Sequence, residues 1–156
     1  AIGPMIGVMA AVGFVGIGFI GMIAAISIPA YQDYTIRSQV MEGVNLASAP
    51  KARIQEIWES EHRWAEQDDM LGEVLTGKYV DKVEVFTGSI VITFGGDANE
   101  NIRGQRMAIT PLTNEVGDLR WSCGNAPTPH GWKPSDGFLG SDVPDKYLPK
   151  DCRSGS

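Results

Sequence analysis

The sequence predicts an α+β fold, in which a long N-terminal α-helix packs on a roughly four-stranded antiparallel sheet. Three observations predict it. Residues 5–28 form an apolar run, residues 36–58 repeat apolar side chains at helical spacing, and residues 80–122 hold short β-rich runs between turns. The chain has 156 residues, which is enough for one globular domain with an appendage.

The first segment of the chain is apolar throughout. Residues 1–32 contain no charged side chain, and all 19 acids and 13 bases follow them. As a helix, residues 5–28 would be about 36 Å long, against roughly 30 Å for a hydrocarbon core. A cleaved signal peptide is the alternative, but no basic region precedes the run, which is longer than the ~15 residues usual for such peptides. The segment therefore predicts a membrane span.

Glycines recur within this apolar run, at positions 7, 13, 16, 18 and 21. Small residues let helix backbones approach closely in lipid or in a bundle. The alternative is that glycine is simply common in membrane helices. Under the first interpretation, Gly13, Gly16, Gly18 and Gly21 allow neighbouring helices to approach closely.

The second part of the helix has one apolar face. Pro29 removes a helical hydrogen bond and predicts a kink, and Pro50 predicts a second bend or a short break. Between and beyond them, apolar residues recur at spacings of three, four or seven, the pattern of an amphipathic helix. They are Ile36, Val40, Val44, Ala47, Ile54 and Trp58.

An acidic stretch follows the helix. Residues 56–73 contain seven acidic residues and one basic residue, Arg63. Their net charge of −6 equals the net charge of the whole chain. A solvated helix end and loop is the simple interpretation. The alternative is a variable surface that binds a partner or a cation. The overall negative charge argues against nucleic acid as a general partner.

The sheet is predicted from four β-rich runs. Residues 80–86 and 90–94 flank Thr87-Gly88-Ser89, which predicts a hairpin. Residues 105–110 and 119–122 predict two further strands. A sheet of this size needs one face covered, and the amphipathic helix is the available partner.

Two cysteines, Cys123 and Cys152, lie near the C-terminus. In an exported protein such a pair indicates one disulfide, and two free buried thiols are the alternative. Between them, residues 124–151 are rich in proline and predict a loop. Three aromatic residues are the predicted anchors of this loop to the sheet: Trp132, Phe138 and Tyr147.

No pattern of catalytic or cofactor-binding residues emerges. His62 and His130 lack metal-ligand spacing. Asp97, Asn99 and Asn101 imitate the start of a calcium loop, but the turn glycine and the bidentate acid of such loops are replaced by other residues. We therefore predict no enzyme activity, no metal site and no cofactor.

The stretch AAISIPAYQDYTIRSQVMEGVNLAS, residues 24–48, resembles the N-terminal helix of type IVa pilins. In this resemblance Pro29 stands at the family's kink, and Tyr31 and Tyr34 stand at its aromatic packing positions. Residues 77–111, with LRWSC and KYLPKDCR, resemble the family's antiparallel sheet and its C-terminal disulfide-bounded loop. The similar stretches follow the family's order along more than half of the chain.

The resemblance departs from the family near the N-terminus. Type IV pilins begin their mature chain with a methylated aromatic residue, and a glutamate follows four positions later. Counted back from Pro29, these places fall on Val8 and Val12. We therefore assign neither the methylated N-terminal amine nor the glutamate that pairs with it to this chain.

The resemblance implies a structural subunit of a surface filament, a homo-oligomer of helical symmetry that supports adhesion, motility or DNA uptake. It also implies an inner-membrane anchor before assembly, and pilus assembly machinery as a partner. A secretion-system pseudopilin and a non-polymerising, membrane-anchored binding domain are the alternatives. The implied organisation is an apolar transmembrane or filament-core helix (1–33) and a head domain (34–156). The residues predicted to pack in the filament core are Val8, Val12, Gly13, Gly16, Gly18 and Gly21. The head domain comprises an amphipathic helix (34–60), a variable acidic region (61–78), the sheet (79–122) and the disulfide loop (123–152).

Overall fold

The computed structural model describes the backbone of residues 3–72 and 74–156, and the side chains of residues 17–23, 28–72 and 74–156. Four residues predicted to pack in a filament core lie outside the residues whose side-chain surroundings are described: Val8, Val12, Gly13 and Gly16. The chain divides into two compact units, Ala1–Thr35 and Ile36–Ser156. Each unit is described by itself.

The first unit is helical and carries apolar side chains on its surface. Helix α1 (Gly3–Leu46) begins here and runs through Pro29 without ending, so the kink expected at this proline stays a prediction. A side chain added at Gly18 or Gly21 would meet no atom within 4 Å. None of the described helical residues form a span that is long and apolar enough to cross a membrane. Five large apolar side chains are 54–73% exposed: Ile17, Phe19, Ile20, Met22 and Ile23.

The helix is interrupted once within the second unit, at Ala47. Helix α1 ends at Leu46, and α2 (Ser48–Glu61) begins after Ala47. Helical hydrogen bonds continue across the junction, from Ala47 N to Gly43 O (3.1 Å) and from Lys51 N to Ala47 O (3.0 Å). Pro50 lies in the first turn of α2 and has no N–H to donate to Leu46 O, so the interruption at Ala47 is the short break predicted for this proline.

One face of these helices is buried. Val44 and Trp58, which the pattern assigned to this face, are only half-buried. Gly43 and Ile57 are buried beside them instead, because the helix period of 3.6 residues brings both toward the sheet. The buried positions are spaced by three or four residues throughout: Ile36, Val40, Gly43, Ala47, Pro50, Ile54 and Ile57.

The sheet is antiparallel and follows chain order. The predicted hairpin is confirmed, with Phe86 opposite Ser89 at its turn. The fifth strand, which the sequence did not predict, is only two residues long and pairs with the end of β3. The strands are β1 (Val80–Phe86), β2 (Ser89–Phe94), β3 (Arg106–Thr113), β4 (Leu119–Cys123) and β5 (Lys133–Pro134). Short 3₁₀ helices occupy Gln67–Met70, Asp145–Tyr147 and Lys150–Cys152.

The two faces of the sheet have different neighbours. Side chains alternate between the faces along each strand, and one set packs with the helices in a single hydrophobic core. On the opposite face, Thr110 Oγ1 donates to Phe138 O (2.8 Å), and Ser89 Oγ lies 3.2 Å from Ser135 Oγ. The loop between the cysteines therefore covers part of the second face. The core set includes Val83, Val85, Ile90, Ile92, Phe94, Met107 and Ile109.

Gly43 sets the distance between α1 and the sheet. A Cβ atom at this position would lie 2.8 Å from Ile92 Cγ2 and 3.0 Å from Phe94 Cε1, and both side chains are fully buried. Overpacking a core costs about 1–3 kcal/mol, whereas alanine gains about 1 kcal/mol over glycine in a helix. The difference is about 0–2 kcal/mol, so we expect Gly43→Ala to lower the free energy of unfolding by up to about 2 kcal/mol, measured by urea titration in detergent.

The control for this substitution is Asn45→Ala, on the exposed side of the same helix. It changes helix propensity without adding an atom next to the sheet. If Gly43→Ala stabilises the protein as much as Asn45→Ala, the proposed close approach is wrong.

Candidate functional site: the helix that anchors the head domain and its disulfide loop

Three polar side chains of α1 each hold a different segment of the head domain. Arg37 Nε donates to Lys146 O (2.7 Å) in the disulfide loop. Gln39 is buried, and its Oε1 accepts a hydrogen bond from Asn99 N (2.8 Å) in the turn after β2. The helix therefore fixes the loops as well as the sheet.

Glu42 holds the chain that enters β1. Its carboxylate accepts hydrogen bonds from Lys78 N (2.7 Å) and from Tyr79 N (3.0 Å). Hydrogen bonds to a charged group contribute about 1.5–3 kcal/mol each. These two bonds join Glu42 to residues that lie 36 and 37 positions further along the sequence.

Both amides lose their acceptor in Glu42→Ala, and two such bonds would contribute about 3–6 kcal/mol. Because the bond to Lys78 N is exposed to water, we expect a smaller loss of about 2–3 kcal/mol in the free energy of unfolding. Glu42→Gln keeps one carbonyl oxygen and is expected to lose about half as much. Urea unfolding of the three proteins measures the difference. A loss in Glu42→Ala with no loss in Glu42→Gln would show that the side chain contributes by packing instead of by accepting two hydrogen bonds.

The predicted disulfide is confirmed. Cys123 and Cys152 are bonded, their Cα atoms are 4.8 Å apart, and 29 positions separate them in the sequence. Of the three predicted anchors, Tyr147 is buried, whereas Trp132 and Phe138 are half-buried. Leu148 beside Tyr147 is also buried in the core.

Asp145 stabilises the end of the disulfide loop. Its carboxylate accepts hydrogen bonds from Ser154 N (3.0 Å), from Ser154 Oγ and from Asn125 Nδ2 (2.8 Å). These bonds hold the pKa of Asp145 below its usual value, with the Ser154 hydroxyl as the largest cause. The loop is thus closed by polar contacts on both sides of Cys152.

The acidic stretch folds against the free edge of β1. Glu66 and Gln67 accept hydrogen bonds from Thr87 N (2.9 Å) and Val85 N (2.7 Å), and Leu75 O accepts one from Val83 N (3.0 Å). Exposed strand edges invite pairing with other chains. Here side chains and loop backbone occupy the edge, which protects the sheet from unwanted pairing.

Arg63 organises the acids around it. Its guanidinium binds both carboxylate oxygens of Asp69 (2.8 and 2.9 Å) and one of Glu61 (2.6 Å). The Arg63 hydrogen bond holds the pKa of Asp69 well below its usual range, and the pKa of Arg63 is raised in turn. Trp58 stacks on Trp64 with ring centroids 4.1 Å apart. Partner or cation binding by this stretch stays a prediction.

The calcium-like residues form a turn. Asn99 Oδ1 accepts a hydrogen bond from Asn101 N (2.9 Å), and Ile102, at the place of the loop glycine, is buried. Within the described part of the chain, no group of three or more His, Cys, Asp or Glu residues is placed to hold a metal ion.

The anchoring residues Arg37, Gln39 and Glu42 were not predicted from the sequence. Of these three, only Gln39 could have been suspected from the sequence, because it is a polar residue directly before Val40 of the apolar stripe. In the first unit, Tyr31 and Tyr34 are exposed, and Tyr31 O accepts a hydrogen bond from Thr35 Oγ1 (2.9 Å). Their predicted packing role stays a prediction.

Comparison with known proteins identifies the family. A family model described as Pilin (bacterial filament) matches residues 36–153. The type IV major pilin protein PilE1 of Neisseria gonorrhoeae is 33% identical over 144 residues, which cover 88% of this chain and 87% of that protein. The fimbrial protein of Neisseria meningitidis serogroup A is 30% identical over 152 residues, with 90% and 89% covered. A fimbrial protein of Pseudomonas aeruginosa is 31% identical over 151 residues, with 87% and 88% covered. The chain belongs to the type IV pilin family.

Proposed function

We propose that this pilin, a filament-forming structural subunit, assembles by burying its apolar N-terminal helix among the helices of neighbouring copies. The observation that carries the proposal is the exposed apolar surface of the first unit. Its side chains from Ile17 to Ile23 are more than half exposed, apart from the glycines. Fully burying one such side chain contributes about 1.5–3 kcal/mol.

The inner membrane is the proposed location of the subunit before assembly. Residues 1–32 carry no charge, so lipid can solvate this segment. Lipid and the interior of a helix bundle are similarly apolar, and transfer from one to the other needs little free energy. Close packing of many helices then makes the polymer durable. Pilus assembly machinery would extract each subunit from the membrane.

The head domain is the proposed display module of the surface filament. Its disulfide, its anchored loops and its protected strand edge stabilise it outside the cytoplasm. Adhesion and motility are the functions that such a filament supports, and DNA uptake is a third. The net charge of −6 disfavours non-specific binding to the DNA backbone.

Fractionation of cells that make this pilin tests the membrane stage. Cells are separated into sheared surface material, alkali-washed membranes and soluble contents, and the chain is located with an antibody against the head domain. We expect it in the first two fractions, with a soluble periplasmic enzyme as the control for the third. A chain found mainly in the soluble fraction would contradict the membrane stage and the proposed role of the apolar helix.

A further inference from the structure

The two outer strands of the main sheet path, β1 and β4, have different edges. The free edge of β1 is occupied by hydrogen bonds to Glu66, Gln67 and Leu75. Among the described residues, no hydrogen bond reaches the outer edge of β4 before Cys123. β4 therefore presents an open edge, of the kind that pairs with other extended chains.

The register shows which backbone groups of β4 point outward. Gly124, directly after β4, donates its N–H to Ala108 O of β3 (2.8 Å). Along an antiparallel strand, backbone groups alternate between facing the partner strand and facing away from it. Counted back from Gly124, Arg120 faces β3, whereas Leu119 and Trp121 face away from it. The N–H and C=O groups of these two residues are the ones left without a partner in the described part of the chain.

A groove of about 590 Å³ lies beside this edge. Its lining includes Trp121 of β4, together with Pro127 and Pro129 of the disulfide loop. Leu112, opposite Arg120 and outside the core formed with the helices, also lines it, so the groove opens on the face away from the helices. Sites that bind peptides by strand addition combine an open edge with space for alternate side chains. Both elements are present here.

Each face of this edge carries a base that forms no ion pair with a described residue. On the helix side, Lys51 Nζ lies 5.2 Å from the ring centroid of Trp121. On the other face, Arg120 Cζ lies 5.9 Å from the ring centroid of Trp132. The groove lining also contains an acid, Asp151, at the end where the disulfide loop returns. The edge beside Trp121 is therefore basic, although the chain as a whole is acidic.

The two bases select the kind of strand that can pair here. Pairing β4 with β4 of a second copy would bring the bases of both copies together, and like charges on paired strands are unfavourable. The β1 edge of a second copy is already occupied. An acidic side chain on an incoming strand would instead form charge-assisted contacts, with Arg120 on one face and with Lys51 on the other.

We propose that the outer edge of β4 binds an extended acidic segment of another protein by strand addition. Backbone pairing with Leu119 and Trp121 supplies the affinity, and acidic side chains next to Arg120 and Lys51 supply the selectivity. This binding goes beyond the proposed assembly through the N-terminal helix and does not depend on it.

Binding is measured on the full-length chain in detergent, with a short fluorescent peptide of valine and threonine that carries one glutamate on each face of the strand. We expect the peptide to bind and to slow amide hydrogen exchange at Leu119 and Trp121 by about tenfold or more. A version with glutamine in place of glutamate is expected to bind about tenfold more weakly, because it loses only the charge. A version with N-methyl groups on the amides that face β4 is expected not to bind, because it cannot donate to Leu119 O or Trp121 O.

Protein variants test the charge from the other side. Arg120→Gln is expected to weaken the glutamate peptide several-fold and to leave the glutamine peptide unchanged, because the side chain is exposed and only its charge is removed. Lys78→Gln is the matched control, because Lys78 is also an exposed base over an aromatic ring, 5.2 Å from the Tyr79 centroid, and lies next to β1 instead of β4. We expect it to change neither affinity. Thermal unfolding confirms that both variants fold.

Several results would overturn the proposal. The glutamate peptide fails to bind, the glutamine peptide binds as tightly, N-methylation leaves the affinity unchanged, or Arg120→Gln binds the glutamate peptide fully. Protection of Leu119 and Trp121 that rises with protein concentration, without peptide, would assign the edge to a second copy and also overturn it. Because single chains are measured, a failure of filament assembly leaves these results intact, and microscopy of sheared material tests assembly separately.

Discussion

Replacing Ile20 with lysine is expected to abolish filaments while the head domain still folds. Ile20 is 70% exposed in the first unit, within a segment without charged residues. If neighbouring helices bury it in the filament, Ile20→Lys places an unpaired ammonium in an apolar interior. Such a charge costs several kcal/mol per subunit, which corresponds to a fall in filament yield of at least about 100-fold.

Ile20→Leu is the control, because it keeps volume and polarity and is expected to assemble normally. Sheared filament mass measures assembly, and disulfide formation with thermal unfolding confirms that the head domain folds. The chain of Ile20→Lys should also be located by fractionation, so that a failure of membrane insertion is recognised. Filaments of Ile20→Lys at the wild-type level would contradict a buried role for this part of the helix.

Replacing both cysteines is expected to lower the free energy of unfolding of the head domain by about 3–4 kcal/mol. The bond closes a loop of 29 sequence positions, and the chain-entropy relation gives about this value for a loop of such length. The loss is large beside the 5–15 kcal/mol that typically stabilises a domain. Thermal and urea unfolding of Cys123→Ser/Cys152→Ser, against wild type, measure it.

The wild-type protein with its disulfide reduced is the matched control, because it keeps both sulfur atoms and loses only the cross-link. We expect the reduced protein and the double variant to lose similar stability. Polar contacts at Asp145 and the burial of Tyr147 and Leu148 remain in both proteins. A loss below about 1 kcal/mol would show that these contacts close the loop without the bond, contrary to the chain-entropy relation.

The hairpin and the buried helix face could be predicted because their signals are local. β1 alternates apolar and polar residues near its end, and β2 concentrates β-branched residues. The Thr87-Gly88-Ser89 turn between them fixes their register. Ile36, Val40, Ala47 and Ile54 follow the helix period, so one face is apolar whatever it contacts. The disulfide could be predicted from the two cysteines once the domain was inferred to be exported.

Other features depend on contacts between distant residues. The burial of Gly43 follows from how closely the sheet approaches α1. Glu42 looks like any exposed helical acid until the chain before β1 returns to it. The two-residue β5 forms only because the disulfide loop passes beside β3. The sequence contains these residues but no local pattern that marks their partners.

Electron microscopy of material sheared from the cell surface, with mass spectrometry of the same fraction, tests the central claim most directly. We predict thin filaments in which this chain is the dominant protein. The N-terminal peptide in the mass spectrum also shows how the segment around Val8 and Val12 is processed. A chain that stays in the membrane, with no filament that contains it, would contradict the account and favour a membrane-anchored binding domain.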